Sequence, residues 1–184
     1  MTVKTAKWTL QDYHRMIAAG ILSDRQVELL NGEIVEMVPE GTPHAYFSDE
    51  GADYLQELLG NRAKIREGKP ITLPKTNSEP VPDIAIVQPL GSTYLEHHPY
   101  PENIFWLIEF SDATLSKDLE IKSKTYAKAG IQEYWVINLR EMSLIVFREP
   151  ENNEYRSQVT LTQETISPLA FPDVVVSISR LLGI

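Results

Sequence analysis

No residue of this 184-residue chain is a cysteine. This absence excludes disulfides, thiolate zinc sites and cysteine nucleophiles together. Any bound metal must therefore sit on carboxylates, histidines or backbone carbonyls. The chain also lacks an apolar run near the ~20 residues that a bilayer-spanning helix needs. Its first residues, MTVKTAKWTLQDY, contain no apolar segment of a secretory signal. We therefore expect a cytoplasmic protein without membrane contact.

Positive charge is in deficit, with 17 Lys and Arg against 26 Asp and Glu and a net charge of −9. Nucleic-acid binders are usually basic because their affinity comes largely from neutralising phosphates, so this balance argues against tight, non-specific DNA binding by a monomer. The negative net charge does not exclude a nuclease, because acidic metal ligands add negative charge and a local basic patch is compatible with a negative total. Two groups of basic residues are close in sequence, and each member is most simply a solvated surface residue: Lys64, Arg66, Lys69 and Lys75, then Lys117, Lys122, Lys124 and Lys128.

Several catalytic signatures are missing as well. The sequence contains no glycine-rich phosphate loop, no dinucleotide-binding fingerprint, no HExxH and no nucleophile elbow. Kinase, dinucleotide oxidoreductase, zincin and α/β-hydrolase functions therefore lose support. The pair His97-His98 is a weak metal signal, since adjacent residues of a strand point to opposite faces.

The order of hydrophobic patterns predicts one domain, residues 1–184, with an α/β or α+β architecture in which helices pack on a sheet. Asn31-Gly32, between the apolar stretches of VELLNGEIVEMV, predicts a β-hairpin. The runs DIAIV (83–87) and NIFWLIEF (103–110) predict buried strands, the second covered on both faces. Helices are expected at about 8–19, 44–59, 116–129 and 178–182, further strands at 63–73, 133–138, 143–148 and 155–160, and a long loop at 88–102.

Two carboxylates on neighbouring predicted strands are the first candidates for chemistry. Glu109 lies inside the apolar run IFWLIEF, where a carboxylate costs several kcal/mol unless it is paired or binds a metal. Asp83 opens the strand DIAIV directly after Pro82, a position at which proline is tolerated. Each residue alone has a plain alternative, Glu109 as a solvent-exposed strand end and Asp83 as a turn residue. Together, at matching strand ends, they can bind one hard cation such as Mg²⁺.

A lysine on the following helix is the third candidate. Asp118, Lys122 and Tyr126 are spaced by four residues in KDLEIKSKTYAKAG and share one helix face. Lys122 could reach back to the site and stabilise developing phosphorane charge or position the attacking water. The alternative is that Asp118 and Lys122 form an ordinary surface pair worth about 0.3–0.5 kcal/mol.

Residues of the N-terminal third could complete the site. His44 begins the long predicted helix, and Glu28 and Glu33 lie on the predicted hairpin. Taken alone, His44 is explained as a helix N-terminal residue and both glutamates as solvent-facing strand residues.

Three segments together resemble a known family: VELLNGEIVEMVPEGTPHAYF, PVPDIAIV and WLIEFSDATLSKDLEIKSKTYAKAGIQEYWVINL. Their order and spacing resemble the Uma family of restriction-endonuclease-like proteins. This is a domain-of-unknown-function family, expanded in cyanobacteria, within the PD-(D/E)xK nuclease superfamily. The similarity covers roughly residues 27–147. It implies a restriction-endonuclease-like fold, a mixed central sheet flanked by helices with the site where the sheet splays.

The resemblance also implies roles for individual residues. Asp83 matches the Asp of the PD motif and Glu109 the second acid, and both would hold the metal with the carbonyl of Phe110. The usual superfamily lysine would fall at Ser111, so Lys122 takes its place from the following helix. Glu33 and His44 match recurrent positions near the site and complete the expected catalytic set. Asp112 stands where the family has proline, which affects the path of the turn.

The function implied is Mg²⁺- or Mn²⁺-dependent hydrolysis of DNA phosphodiester bonds. An alternative is a non-catalytic nucleic-acid or protein interaction module on the same scaffold. The net charge of −9 and the displaced lysine are compatible with this alternative. A homodimer is also expected, because the aromatic strands EYWVINL and SLIVF would form an interface if their apolar surface were exposed.

Overall fold

The computed structural model describes residues 5–184; the first four residues of the predicted domain lie outside this range. Its helices are α1 (Leu10–Ala18), α2 (Thr42–Leu59), α3 (Ser123–Ala129) and α4 (Ile178–Leu181), and a π-helical turn, Lys117–Lys122, runs directly into α3. Its strands are β1 (Val27–Leu30), β2 (Glu33–Glu36), β3 (Lys64–Glu67), β4 (Ile84–Val87), β5 (Ile104–Ser111), β6 (Glu133–Asn138), β7 (Ser143–Glu151), β8 (Glu154–Leu161), β9 (Thr165–Ile166) and β10 (Val176–Ser177).

The predicted hairpin is confirmed in β1 and β2. Leu30 pairs with Glu33 across a two-residue turn, and both turn residues, Asn31 and Gly32, have positive φ angles of 52° and 77°. A type I′ turn needs this conformation at both positions, and its twist matches that of the flanking strands. The hairpin stands apart from the main sheet, and Leu29 forms an isolated bridge with Glu79 in the segment that precedes β4.

Among the described residues, six strands form one mixed sheet in the order β3-β4-β5-β6-β7-β8. The pair β5–β6 is parallel and the other neighbours are antiparallel. The parallel pair needs a crossover connection, which α3 supplies. The predicted mixed sheet with flanking helices is confirmed.

The apolar residues of the sheet pack on both of its faces. Ile84, Ile86, Trp106 and Ile108 contribute to a core beneath α2 and α4. Their alternate neighbours, including Ala85 and Leu107, contribute to a second core with Tyr126 of α3. The near-continuous apolar pattern of β5 therefore reflects a strand buried on both faces, as expected.

One predicted strand is much shorter than expected. The run 63–73 forms a strand over Lys64–Glu67 alone, because Gly68 adopts a φ of +54° and Pro70 has no N–H to continue a ladder. The Gly68 N–H instead donates to the Asp83 carbonyl. This bond ties the end of β3 to the start of β4.

Two expectations about surfaces can be compared with the structure. Within residues 5–184, no helix is long and apolar enough to cross a membrane. The apolar side chains of β6 and of the first half of β7 are buried within the chain. They therefore give no exposed surface on which to base the expected homodimer, which stays a prediction.

Candidate active site

A cleft of about 130 Å³ opens where β4 begins and β5 ends, between the hairpin, the start of α2 and the π-helical turn. It receives residues from every part of the chain that the sequence singled out as chemical. The polar side chains in its lining are Glu28, Glu40, His44, Asp83, Glu109, Asp112, Thr114, Lys117, Asp118 and Lys122.

Asp83 lies at the start of β4, where Pro82 keeps the chain extended before it joins the sheet. Its Oδ2 accepts a hydrogen bond of 2.6 Å from the Phe110 N–H and lies 3.0 Å from Nε2 of His44. The backbone N–H of the neighbouring strand therefore fixes the carboxylate at the strand end. Since the N–H and C=O of a strand residue point to the same side of the strand, the Phe110 carbonyl is directed towards Asp83 as well.

Glu109 is 2% exposed, so the sequence alternative of a solvent-exposed strand end does not hold. Its Oε1 accepts 2.8 Å from Nζ of Lys122 and 3.0 Å from the hydroxyl of Tyr126. Burial raises the pKa of Glu109 well above its usual value, Lys122 opposes this shift and the negative charge of Asp83 adds to it. The carboxylate is thus held by donors from one helix face, as the spacing of four residues predicts.

Lys122 is 4% exposed and projects into the cleft from the end of the π-helical turn. Burial lowers its pKa, but the carboxylates of Glu109, Glu28 and Asp118 together raise it above its ordinary value. The Nζ atom lies 3.9 Å from both Glu28 and Asp118. Lys122 is therefore a fixed cation rather than a surface partner of Asp118, and it cannot serve as a proton acceptor near neutral pH.

The π-helical turn explains how Lys122 reaches the site. The Ser123 N–H donates to the Asp118 carbonyl, an i→i+5 bond that widens the turn, and such turns are frequent at functional sites. Ser111, at the position where the superfamily usually has lysine, donates 2.8 Å to Oδ2 of Asp118. Ser111 thus orients an acid beside Lys122 while the helix supplies the cation.

Glu28 of β1 is the residue whose importance the sequence understates. It is 1% exposed, forms an ion pair with Lys117 and accepts 3.1 Å from the Val81 N–H. A signal for it was present, because a glutamate in the largely apolar strand VELL needs a partner if it is buried. The same pattern identified Glu109.

Glu33 was expected near the site, and the structure does not bring it there. Its side chain is 57% exposed and pairs with Lys7 beside the turn of the hairpin, and it is absent from the cleft lining. Glu33 pairs with Leu30 beside the turn, whereas Glu28 pairs with Val35 two positions further from the turn. The two glutamates therefore share a face of the hairpin, but Glu33 lies at its exposed turn end.

His44 lies in the first turn of α2, with Pro43 before it in the helix start. Its hydrogen bond with Asp83 raises the pKa of His44, burial opposes that shift, and the charges of Asp83 and Glu40 add to it. Its Nδ1 is buried without a hydrogen-bond partner among the described residues and lies 3.8 Å from Glu40. The structure therefore brings His44 to Asp83, together with a second acid that the sequence did not indicate.

The donors in the cleft suit a divalent cation. Carboxylates outnumber lysines in its lining, and carboxylate and carbonyl oxygens are the ligands that Mg²⁺ and Mn²⁺ prefer. Two donor sets share Asp83. One is the expected set with Glu109 and the Phe110 carbonyl; the other consists of Glu40 and His44, whose ligand atoms lie within 4.8 Å of one another and of Asp83. The partnerless Nδ1 of His44 fits the second set, although an imidazole ligand favours Mn²⁺ over Mg²⁺.

The six-stranded mixed sheet flanked by helices, with an acidic cleft where β4 begins and β5 ends, defines a restriction-endonuclease-like, nuclease-like class of protein. The family model Uma2, described as “Putative restriction endonuclease”, matches residues 10–179. The chain therefore belongs to the Uma2 family.

One solved structure shares this fold over nearly its whole length. It is described as “a putative nuclease belonging to DUF820” from Anabaena variabilis ATCC 29413. The two chains are 16% identical, with a TM-score of 0.71 and coverage of 95% of this chain and 97% of that one. At this identity the likeness shows the fold. Among curated proteins, none matches this chain.

Proposed function

We propose that this protein is a metal-dependent endonuclease that hydrolyses DNA phosphodiester bonds. The observation that carries the proposal is the convergence of Asp83, Glu109 and Lys122 on one cleft at the adjoining ends of two strands. A nuclease-like family and a neighbour with the same fold support it. The residues would hold Mg²⁺ or Mn²⁺ on Asp83, Glu109 and the Phe110 carbonyl.

A bound divalent cation supplies charge for a phosphoryl oxygen and lowers the pKa of water. The side chains of the chain itself then have separate tasks. Lys122 stays protonated and presents its positive charge where the pentavalent phosphorus develops negative charge. Tyr126 holds Glu109 in place through its hydroxyl, and Ser111 does the same for Asp118.

His44 holds a proton close to the reacting groups. Its Nε2 faces Asp83 at 3.0 Å, and in the metal-free protein this hydrogen bond raises the pKa of His44. An imidazolium at this place can donate a proton to a leaving oxygen, a role that histidines commonly take near neutral pH.

A non-catalytic binding module is the second candidate, and one observation favours it. Oε1 of Glu109 is already engaged by Lys122 and Tyr126, so a metal ion must compete for this carboxylate or use its other oxygen. Such a module would bind DNA or a protein without cutting a bond.

Nicking of supercoiled plasmid in Mg²⁺ or in Mn²⁺ separates the two candidates. We expect nicking by the wild-type protein and at least a hundredfold loss in Asp83→Asn, since an electrostatic group of an active site is commonly worth about 10²–10³ in rate. Asp112→Asn is the matched control, because Asp112 lines the same cleft but pairs with Arg140 at the surface. Equal nicking by wild type and Asp83→Asn would assign the activity to other residues or to a contaminant.

A further inference from the structure

A second, larger cleft lies at the free edge of the sheet, outside the candidate active site. It has a volume of about 410 Å³, within the range of pockets that hold small ligands. Its lining joins the end of α2, the edge strand β3 and the loop after β4: Gln56, Gly60, Asn61, Ala63, Lys64, Arg66, Pro89, Gly91 and Tyr94. The charged side chains in this lining are both cationic, in a chain whose net charge is −9.

Arg66 has no acidic partner. Within residues 5–184, every other arginine has a carboxylate oxygen within 4.0 Å, whereas Arg66 has none. Its Nε is buried and makes no hydrogen bond, and burial lowers its pKa. The guanidinium lies over the ring of Tyr94, with 5.3 Å between Cζ and the ring centroid, and the Tyr94 hydroxyl is fixed by a bond of 2.8 Å to the Gln88 carbonyl. A planar cation is thus held in one orientation with donors left unpaired.

An anion would satisfy these donors. Arg66 is half-buried with its Nε out of contact with solvent, and a charge partly removed from water is normally paired because leaving it unpaired is costly. The fork of N–H groups matches the oxygens of phosphate, and Lys64 adds a second positive charge on the same face of β3 because it lies two residues away.

The position of the cleft relates it to the candidate active site. Arg66 pairs with Ala85 across β3 and β4, and Gly68, directly after the end of β3, donates to the Asp83 carbonyl. At about 3.3 Å per residue and 4.8 Å between strands, the Cα atoms of Arg66 and Asp83 are roughly 8 Å apart. The two clefts themselves are farther apart, because His44 in the first turn of α2 lines one and Gln56 in its last turn lines the other. At 1.5 Å per residue, these two positions are about 18 Å apart along the helix.

We propose that the cleft formed by Lys64, Arg66 and Tyr94 binds a backbone phosphate of the DNA duplex at a distance from the bond that is cut. The proposal rests on the proposed function for the identity of the ligand. It adds a cationic site that fixes the register of the strand and offsets the acidic character of the chain as a whole.

Binding of a fluorescein-labelled 20-base-pair duplex, followed by anisotropy in EDTA so that no hydrolysis occurs, tests the proposal. Arg66→Gln should weaken binding on the order of tenfold, as expected for a charge-assisted bond to phosphate. It should also reduce the slope of log K against log salt by about 0.9, the value for one phosphate contact. Lys64→Gln should also weaken binding and reduce the salt slope. It replaces Arg66→Gln as the test variant if Arg66→Gln does not fold.

Arg156→Gln is the matched control, since it removes the same charge from β8 at the opposite edge of the sheet, where Arg156 pairs with Glu151 at the surface. It should leave affinity and salt slope unchanged. Wild-type affinity and slope in both Arg66→Gln and Lys64→Gln would overturn the proposal, even if plasmid is cut. Arg66-dependent binding of inorganic phosphate by calorimetry, with duplex binding unaltered, would overturn the assignment to DNA. Absence of nicking with Arg66-dependent duplex binding would reject the nuclease and leave the DNA site standing.

Discussion

Replacing Lys122 by methionine removes the cation that faces Glu109 and leaves the rest of the cleft in place. The side chain is 4% exposed and lies 2.8 Å from Glu109 and 3.9 Å from Glu28 and Asp118. Methionine fills a similar volume, so the change is chiefly one of charge. The three carboxylates then lose the positive charge among them.

The loss of stability should be large. Removing one partner of a buried ion pair costs about 3–5 kcal/mol, because the other charge stays buried and uncompensated. Whole domains are stable by only about 5–15 kcal/mol, so Lys122→Met should unfold at a much lower urea concentration. Adding Glu109→Gln to Lys122→Met should recover a good part of the loss, since the uncompensated charge is then removed as well.

The size of the loss should depend on pH. Burial already holds the pKa of Glu109 above its usual value of 4.5, and Lys122 opposes that shift, so removal of Lys122 should raise this pKa further. A carboxyl whose pKa is higher in the folded than in the unfolded state destabilises the fold most above its folded-state pKa, where the buried group is charged. This cost disappears as pH falls through the folded-state pKa and the group becomes protonated. The destabilisation should therefore be smaller at pH 5.5 than at pH 7.5.

Urea unfolding followed by circular dichroism at both pH values gives these quantities. Lys124→Met is the matched control, because Lys124 is on the same helical segment but exposed, 3.7 Å from an exposed Glu154, and it should change stability by less than about 0.5 kcal/mol. A loss below about 1 kcal/mol for Lys122→Met, or an equal loss at both pH values, would refute the description of Lys122 as the buried counter-charge of Glu109.

Two further predictions concern α2. Gly51→Ala should destabilise the protein by about 1–3 kcal/mol, because an added Cβ would lie 2.8 Å from Cζ of Phe110. Gly41→Ala should cost little, because an added Cβ there would lie 3.8 Å from its nearest neighbour. Equal thermal stability of the two variants would contradict this packing. Asp83→Asn should lower the pKa of His44 in an NMR titration, because the hydrogen bond that the imidazole N–H donates to the Asp83 carboxylate is what raises it. The His44–Asp83 pair should accordingly add stability at pH 6 that is lost as pH rises through the folded-state pKa of His44, and an unshifted titration in Asp83→Asn would rule out this pairing.

Local patterns made much of the fold predictable. Asn31-Gly32 specifies its turn through the φ angles it tolerates, and IFWLIEF specifies a strand buried on two faces because it has no polar alternation. The end of β3 was placed too late, because the apolar residues Ile71 and Leu73 continue the pattern although Gly68 and Pro70 interrupt the ladder. Ile71 and Leu73 are buried in the second core although neither lies in a strand.

The candidate site was predictable in part, for a related reason. Glu109 was identified because burial of a carboxylate is visible in its sequence neighbours. The same pattern does not distinguish Glu28 from Glu33, because the register places both on one face of the hairpin. Contacts of Glu28 with Val81 and Lys117, more than 50 residues away, decide which of the two is buried. The π-helical turn that directs Lys122 into the cleft is likewise set by packing and not by the spacing of four residues.

The central claim is that Asp83 and Glu109 hold a divalent cation, and calorimetric titration of Mn²⁺ into the protein tests it most directly. We predict one site that is lost in Asp83→Asn and at least tenfold weaker in Glu109→Gln, while Asp112→Asn binds as the wild type does. Glu40→Gln distinguishes the two donor sets, because it should leave binding intact if Glu109 is the second ligand. Absence of Mn²⁺ binding, or unchanged binding in Asp83→Asn, would contradict the account.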